Sequence, residues 1–403
     1  MLLGAEGLGQ LANLLLVVIL ARHYGATVLG EYSLGMSVGA IASLGISLGI
    51  DSLLIRELSR YPERMRAALG VLLPVQLVLV PLAWLLSIAI SLALLRSRAA
   101  LPMVAAVTAY QLLGTVGTLL LSPLQAGERM LRVAACEFAY RLVALLLGVA
   151  LMGAGAGVAL LALVFPLSGM VLVALAVWQL SRTCGLPALR WAPAEARGYY
   201  RQAMPFFGST ALSILYSRTS TLLLGLQVAR RELGLYSAAD RLMVPLLLGP
   251  QIFNTAVFPA LSRLAHESPQ AAHELCGRCI RLLLCLALPL TLLVMLWAPQ
   301  AVTLCFGADY DGAASALRWL VWSLPVRGVQ YLLGSLLAAS GRQSSVAGAR
   351  AVGLVSFAVL APVLIHFLGY IGAAMAVPLC DAMQLGLYVR AVRRVRGTTS
   401  VPA

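Results

Sequence analysis

Leu29-Gly30-Glu31-Tyr32-Ser33 and Leu233-Gly234-Leu235-Tyr236-Ser237 are two copies of one phrase, 204 residues apart, and each lies between two long apolar runs. Two looser echoes keep nearly the same spacing. Gln125-Ala126-Gly127-Glu128-Arg129 answers Ala339-Ser340-Gly341-Arg342-Gln343 at an offset of 214, and Gly157-Val158-Ala159 answers Gly372-Ala373-Ala374 at 215. Three matches in the same order predict a duplicated six-helix unit. Duplicated units that enclose a central site between two halves are a recurrent transporter architecture.

Composition agrees. Apolar residues make up 61% of the 403 and charged residues only 11%, against roughly 25% charged in a soluble domain. A hydrocarbon core of ~30 Å needs ~20 helical residues. Twelve runs of about that length lie near 2–20, 32–50, 69–94, 101–122, 133–152, 157–180, 203–226, 236–260, 280–297, 313–338, 346–366 and 370–390. The fold class expected is an all-α polytopic membrane protein with two six-helix lobes. The lobes are placed at 1–182 and 203–391, with a cytoplasmic linker at 183–202 and a short basic cytoplasmic tail at 392–403. The first run lacks both the basic leader and the small-residue cleavage site of a signal peptide, so it is expected to be a retained helix.

The formal net charge of +14 would suit a nucleic-acid partner, but its distribution excludes that class. All 29 basic residues are Arg. With the spans above, 19 of them fall on one side, in loops, tails or span ends, and five (Arg22, Arg96, Arg98, Arg230, Arg231) fall on the other. Retention of positive loops then predicts that both termini are cytoplasmic, which an even number of spans requires. The opposite loops are short and leave no room for the long catalytic outer loop of an envelope glycan polymerase or ligase.

Residues 20–60 and 214–265 carry a resemblance. Ala21-Arg22-His23-Tyr24-Gly25 runs into Leu29-Gly30-Glu31-Tyr32, and Gly49-Ile50-Asp51 into Ile55-Arg56-Glu57-Leu58. In the second half stand Tyr216-Ser217-Arg218, Leu222-Leu223-Leu224-Gly225, Gly234-Leu235-Tyr236-Ser237-Ala238-Ala239 and Phe258-Pro259-Ala260-Leu261-Ser262. In this order the segments resemble the Wzx-type polysaccharide flippases, of the superfamily that also holds multidrug exporters and peptidoglycan-precursor flippases. An acidic residue common in that family shortly after the Ser-Arg pair is Ser220 here, which departs from its pattern. The resemblance implies transport of a polyprenyl-diphosphate-linked oligosaccharide across a bacterial inner membrane by alternating access. It implies no enzyme activity, and a glycan polymerase and chain-length machinery as partners.

Such a cargo needs cations and hydrogen-bonding groups in a wet cavity, and charge inside a span is costly, ~2.5–3.5 kcal/mol on insertion scales. Arg141, Arg218, Arg241 and Arg327 lie inside the runs. Arg218 stands beside a stripe of Ser209, Ser213, Ser217 and Ser220, and Arg327 follows Pro325 and shares a helical face with Ser323, Gln330 and Tyr331. Guanidinium groups hold phosphate oxygens in bidentate fashion. The expected cavity residues are therefore Arg218, Arg327, Arg241, Ser217, Gln330 and Tyr331. Arg141 follows Glu137 by four residues, the favourable order for an intrahelical ion pair. Asp240 and Asp381 are read either as titrating groups in ion coupling or as counter-charges of arginines on other helices, and Asp51 is expected to meet the cytoplasmic surface.

The remaining signals are structural. Gly35, Gly39, Gly45 and Gly49 form small-xxx-small pairs that suit close helix packing. Thr108, Gln111, Thr115 and Thr118 share one side of the fourth run, toward either the cavity or neighbouring helices. His273, Cys276 and Cys279 precede the ninth run at a three-residue spacing. One helical face cannot surround zinc tetrahedrally, so no metal is expected, and no nucleotide-binding motif or other cofactor signal is present. The rival readings are a multidrug or small-metabolite cation antiporter of the same superfamily and, disfavoured by loop length, an envelope glycan polymerase or ligase.

Overall fold

The computed structural model describes residues 2–94, 98–183 and 185–398. Arg96, assigned above to an outer loop, lies outside the described residues, as does the end of the tail. The described residues are helical, in the order α1 (Leu2–Ser47), α2 (Ile50–Arg60), α3 (Met65–Leu94), α4 (Leu101–Ala126), α5 (Met130–Gly153), α6 (Val158–Ala162) and α7 (Val164–Thr183). They continue with α8 (Pro193–Gln227), α9 (Arg230–Glu267), α10 (Pro269–Leu296), α11 (Ala298–Phe306), α12 (Asp311–Leu320), α13 (Ser323–Ala339) and α14 (Gln343–Thr398). They form two compact units, residues 1–222 and 223–403.

Eight helical stretches among the described residues are long and apolar enough to cross a membrane. Two of them are double. α1 is broken at Gly25 (φ 79°) and α14 at Gly369 (φ 57°), a left-handed conformation that only glycine adopts without strain. Ten of the twelve expected spans lie in these eight stretches. The other two are α8 and the α12–α13 pair, which are not among the eight. The run of Ser, Thr and Arg218 dilutes the apolar character of α8, and α13 has only 17 residues. The two expected spans that fall outside the eight are those that carry Arg218 and Arg327.

The repeated phrases occupy alike positions. Leu29 and Tyr32 are fully buried, as are Leu233 and Tyr236, because residues three apart share one helical face. The second echo is a helix C-cap in both copies. After α4, Glu128 N–H bonds Gln125 O and Arg129 N–H bonds Leu124 O. After α13, Gly341 bonds Ala338 O and Arg342 bonds Leu337 O. This is the Schellman pattern, with the left-handed residue being Glu128 (φ 57°) in one copy and Gly341 (φ 73°) in the other. By hydrogen bonding the copies therefore match at 213 rather than 214, because the left-handed site falls on Glu128 and not on Gly127.

Within the first unit, α1 packs closely on α4. A Cβ added at Gly35 would stand 2.9 Å from Val107 Cβ, and one at Gly39 would stand 2.8 Å from Gln111 Cβ. Gly45 faces open space instead. The threonines of α4 make hydrogen bonds: Thr108 Oγ1 donates to Gly35 O at 3.5 Å, and Thr115 to Gln111 O within its own helix. α2 is amphipathic, burying Ile50, Leu53, Leu54 and Leu58. Its 11 residues extend about 16 Å, half of what a span needs. In the second unit, α10 starts eleven residues before the expected run, capped by the Ser268 side chain with Pro269 in its first turn. His273, Cys276 and Cys279 therefore belong to a helix, and the two cysteines are buried, with Cys276 Sγ directed at Leu332 O.

Candidate functional site

The second unit joins three of the expected residues. Arg327 on α13 and Asp381 on α14 meet at 2.8 Å between Nε and Oδ2. Gln330, one turn along α13, donates from Nε2 to the backbone oxygen of Asp381 at 2.6 Å. Asp381 is completely buried and the Arg327 side chain is 26% exposed. The acid is thus committed to a cation on a neighbouring helix, the counter-charge arrangement, while the guanidinium reaches a less enclosed place. Gln384, buried one turn beyond Asp381, continues the polar line.

Two hydrogen bonds extend this line to α9. Gln251 Nε2 donates to Tyr331 OH at 3.2 Å, and Ser335 Oγ donates to Asn254 Oδ1 at 2.8 Å. α9 contains Pro245, Pro250 and Pro259, each removing a backbone donor. An apolar cavity of about 240 Å³ is lined by Leu246 and Phe253 of α9 and Leu283, Leu286 and Leu290 of α10, and it reaches Leu324, one turn before Arg327. Arg241 is half-buried on α9 and the adjacent Asp240 is exposed. Neighbours in a helix point about 100° apart, so the two do not form one unit.

Arg218 and Ser217 belong to the first unit. Arg218 is half-buried; Ser217 is exposed and returns its hydroxyl to Ile214 O at 3.0 Å. Of the expected stripe, Ser220 is buried and Ser213 exposed, and the Ser209 side chain lies outside the described residues. Arg141 makes its intrahelical pair, Nη2 to Glu137 Oε2 at 3.3 Å, and its Nε donates to Tyr140 OH at 3.2 Å. Gly9 packs against that guanidinium.

Three features escaped sequence reading. Glu31 is buried inside α1; its signal was an acid at a place where the other copy of the phrase has Leu235. Gln76 is completely buried in α3, signalled only as a lone amide in an apolar run. Asp51 is part-exposed, but one of its carboxylate oxygens is turned inward. It opens α2, and its Oδ1 is sealed from solvent without a hydrogen-bond partner. The cause is that the apolar face of α2 begins at Ile50 and draws the helix start inward.

Residues 11–315 match the family described as "Polysaccharide biosynthesis protein". The chain belongs to that family. A curated relative of similar sequence is the probable low-salt glycan biosynthesis flippase Agl15 of Haloferax volcanii, 23% identical over 231 residues, which are 56% of this chain and 48% of the relative. The chain thus spans about half the length of the curated relative that it matches. Two solved structures share the fold. The lipid II flippase MurJ in an inward closed conformation has a TM-score of 0.79 at 13% identity, covering 97% of this chain and 87% of its own. An inward-facing multidrug resistance MATE transporter of the MOP superfamily also scores 0.79, at 16% identity, with 99% and 96% covered. This polysaccharide biosynthesis family protein is therefore a multi-pass membrane protein with a transporter fold.

Proposed function

We propose that this protein is a flippase that moves a polyprenyl-diphosphate-linked oligosaccharide from the cytoplasmic to the outer leaflet of a bacterial inner membrane, for assembly of a cell-surface polysaccharide. Both termini are cytoplasmic, the motion is alternating access, and no covalent chemistry takes place. A polymerase and chain-length machinery use the product on the far side.

The observation that carries this reading is the chemistry of the polar helices. The two expected spans that fall outside the eight long apolar stretches bear Arg218 and Arg327, and an arginine in a membrane helix faces a cavity or a partner because lipid cannot solvate it. Arg327 is oriented by a buried carboxylate and is itself only partly enclosed. A guanidinium stays charged at any relevant pH and offers a planar fork that suits two phosphate oxygens. Arg241, Ser217, Gln330 and Tyr331 supply further donors for phosphate and sugar hydroxyls, and the prenyl chain stays in the apolar phase. Family membership and the glycan flippase relative support the same cargo. The MATE likeness supports a cation antiporter instead, but Asp381 and Glu137 are each bonded to an arginine, which leaves the anion reading ahead.

The test is transport in reconstituted vesicles. Diphosphate-bearing lipid analogues should compete with lipid-linked oligosaccharide, and lipophilic cations should not. In cells, Arg218→Ala should abolish surface glycan at near-normal protein level. Export of cationic dyes with indifference to diphosphate lipids would replace this reading with the antiporter.

A further inference from the structure

The middle turns of α9 carry two faces of opposite character. Leu246, Gly249, Pro250 and Phe253 recur at the spacing of one helical face and line the apolar cavity. Gln251, Asn254 and Thr255 recur at the same spacing on another face, and that face is polar. Gln251 stands well before the end of α9 at Glu267, about 24 Å along the axis. It therefore lies deep within a stretch long and apolar enough to cross a membrane.

The polar face of α9 meets α13 in two rungs. Gln251 Nε2 donates to Tyr331 OH at 3.2 Å, and Ser335 Oγ donates to Asn254 Oδ1 at 2.8 Å. Arg327, Tyr331 and Ser335 follow one another at four-residue intervals, which places them about 6 Å apart along α13. The ion pair of Arg327 with Asp381 thus begins a line that the two amide–hydroxyl rungs continue. From Gly328 to Ala339 α13 has no charged residue, and α9 has none from Leu242 to Ser262. One end of the line holds the guanidinium, and the rungs are neutral.

Hydrogen bonds between membrane helices account for buried polar pairs, but these rungs are not buried. Gln251 is exposed, and Asn254, Tyr331 and Ser335 are half-buried. The rungs also leave groups over. Among the described residues, Gln251 gives Tyr331 one of its two amide hydrogens, and Asn254 uses only its oxygen. The Gln251 oxygen, the Asn254 amide hydrogens and the Tyr331 proton stay available. Lipid cannot satisfy such groups at this depth, whereas water or a polyhydroxylated ligand can. A sugar hydroxyl both donates and accepts, and each rung offers groups of both kinds.

We propose that Gln251, Asn254, Tyr331 and Ser335 form a sugar subsite that holds neutral sugars next to the diphosphate through their hydroxyl groups. The inference rests on the flippase reading above and deepens it: Arg327 takes the diphosphate, and the rungs take the sugars attached to it. The step of about 6 Å from one rung to the next is comparable to the length of one sugar residue. Gln251 and Asn254 thereby make the protein select the glycan-loaded carrier over the empty one.

The experiment measures binding to the purified full-length protein in lipid nanodiscs with two probes. One is bare polyprenyl diphosphate, and the other is the same lipid with its oligosaccharide, extracted from the cells that make it. The wild type should bind the loaded lipid more tightly, and equal affinity would overturn the proposal. Gln251→Met keeps the length of the side chain and removes its amide. It should weaken the loaded lipid about fivefold to tenfold, the scale of one or two hydrogen bonds, and leave the bare diphosphate as in the wild type. Ser335→Ala serves if Gln251→Met fails to accumulate. It removes only the hydroxyl that orients Asn254, and a smaller loss confined to the loaded lipid is expected. Equal weakening of both lipids, or of neither, would mean that the rungs only join α9 to α13, and the sugar subsite would be refuted. Arg327→Gln judges the cargo reading separately, since it should weaken both lipids. If it changed neither while Gln251→Met still weakened the loaded lipid alone, diphosphate recognition by Arg327 would fall and the sugar subsite would stand.

Discussion

Arg327 and Asp381 show how one residue can have two separable duties. Removing one partner of a buried ion pair strands the other charge, at a cost of about 3–5 kcal/mol. Asp381→Asn should therefore lower the amount of folded protein, and Asp381→Asn with Arg327→Gln should restore part of it, as read by membrane abundance. Arg327→Lys separates the duties differently. It keeps a charge for Asp381 but loses the planar fork, so abundance should hold while glycan transport falls. If Arg327→Lys transported normally, phosphate recognition by the fork would be refuted. Arg141 belongs to a simpler class, since Glu137 neutralises it within one helix. Arg141→Ala should mainly reduce abundance, and adding Glu137→Ala should recover part of the loss.

Among elements, α1 depends on its small residues unevenly. Gly35 and Gly39 let α1 touch the α4 backbone, whereas Gly45 faces open space. Overpacking in a close interface costs about 1–3 kcal/mol, so Gly39→Val should depress the thermal midpoint in detergent and Gly45→Ala should leave it nearly unchanged. Equal effects at both positions would contradict the α1–α4 contact. The evenly spaced glycines in the sequence predicted close packing but could not show which of them has a neighbour. That depends on where α4 lies.

For the whole molecule, the arginine asymmetry predicts topology. Reporter fusions after Arg22, Gly155 and Asp309 should read as external, and those after Arg64, Arg197 and the C-terminus as internal. An external C-terminus would refute the assignment. The broken helices α1 and α14 fit this count, since each supplies two expected spans from one helix interrupted at a glycine.

Hydropathy along the chain was sufficient for the helical class, for ten spans in eight long apolar helices, and for the duplicated phrase with its buried Leu and Tyr. These are local properties, because a run of apolar side chains and a three-residue spacing are written in consecutive residues. Arg141 with Glu137 was legible for the same reason. The pairing of Arg327 with Asp381, 54 positions apart, could be anticipated only as some arginine on some helix. Partner choice comes from helices packing against one another, and that contact exists only once the chain has folded.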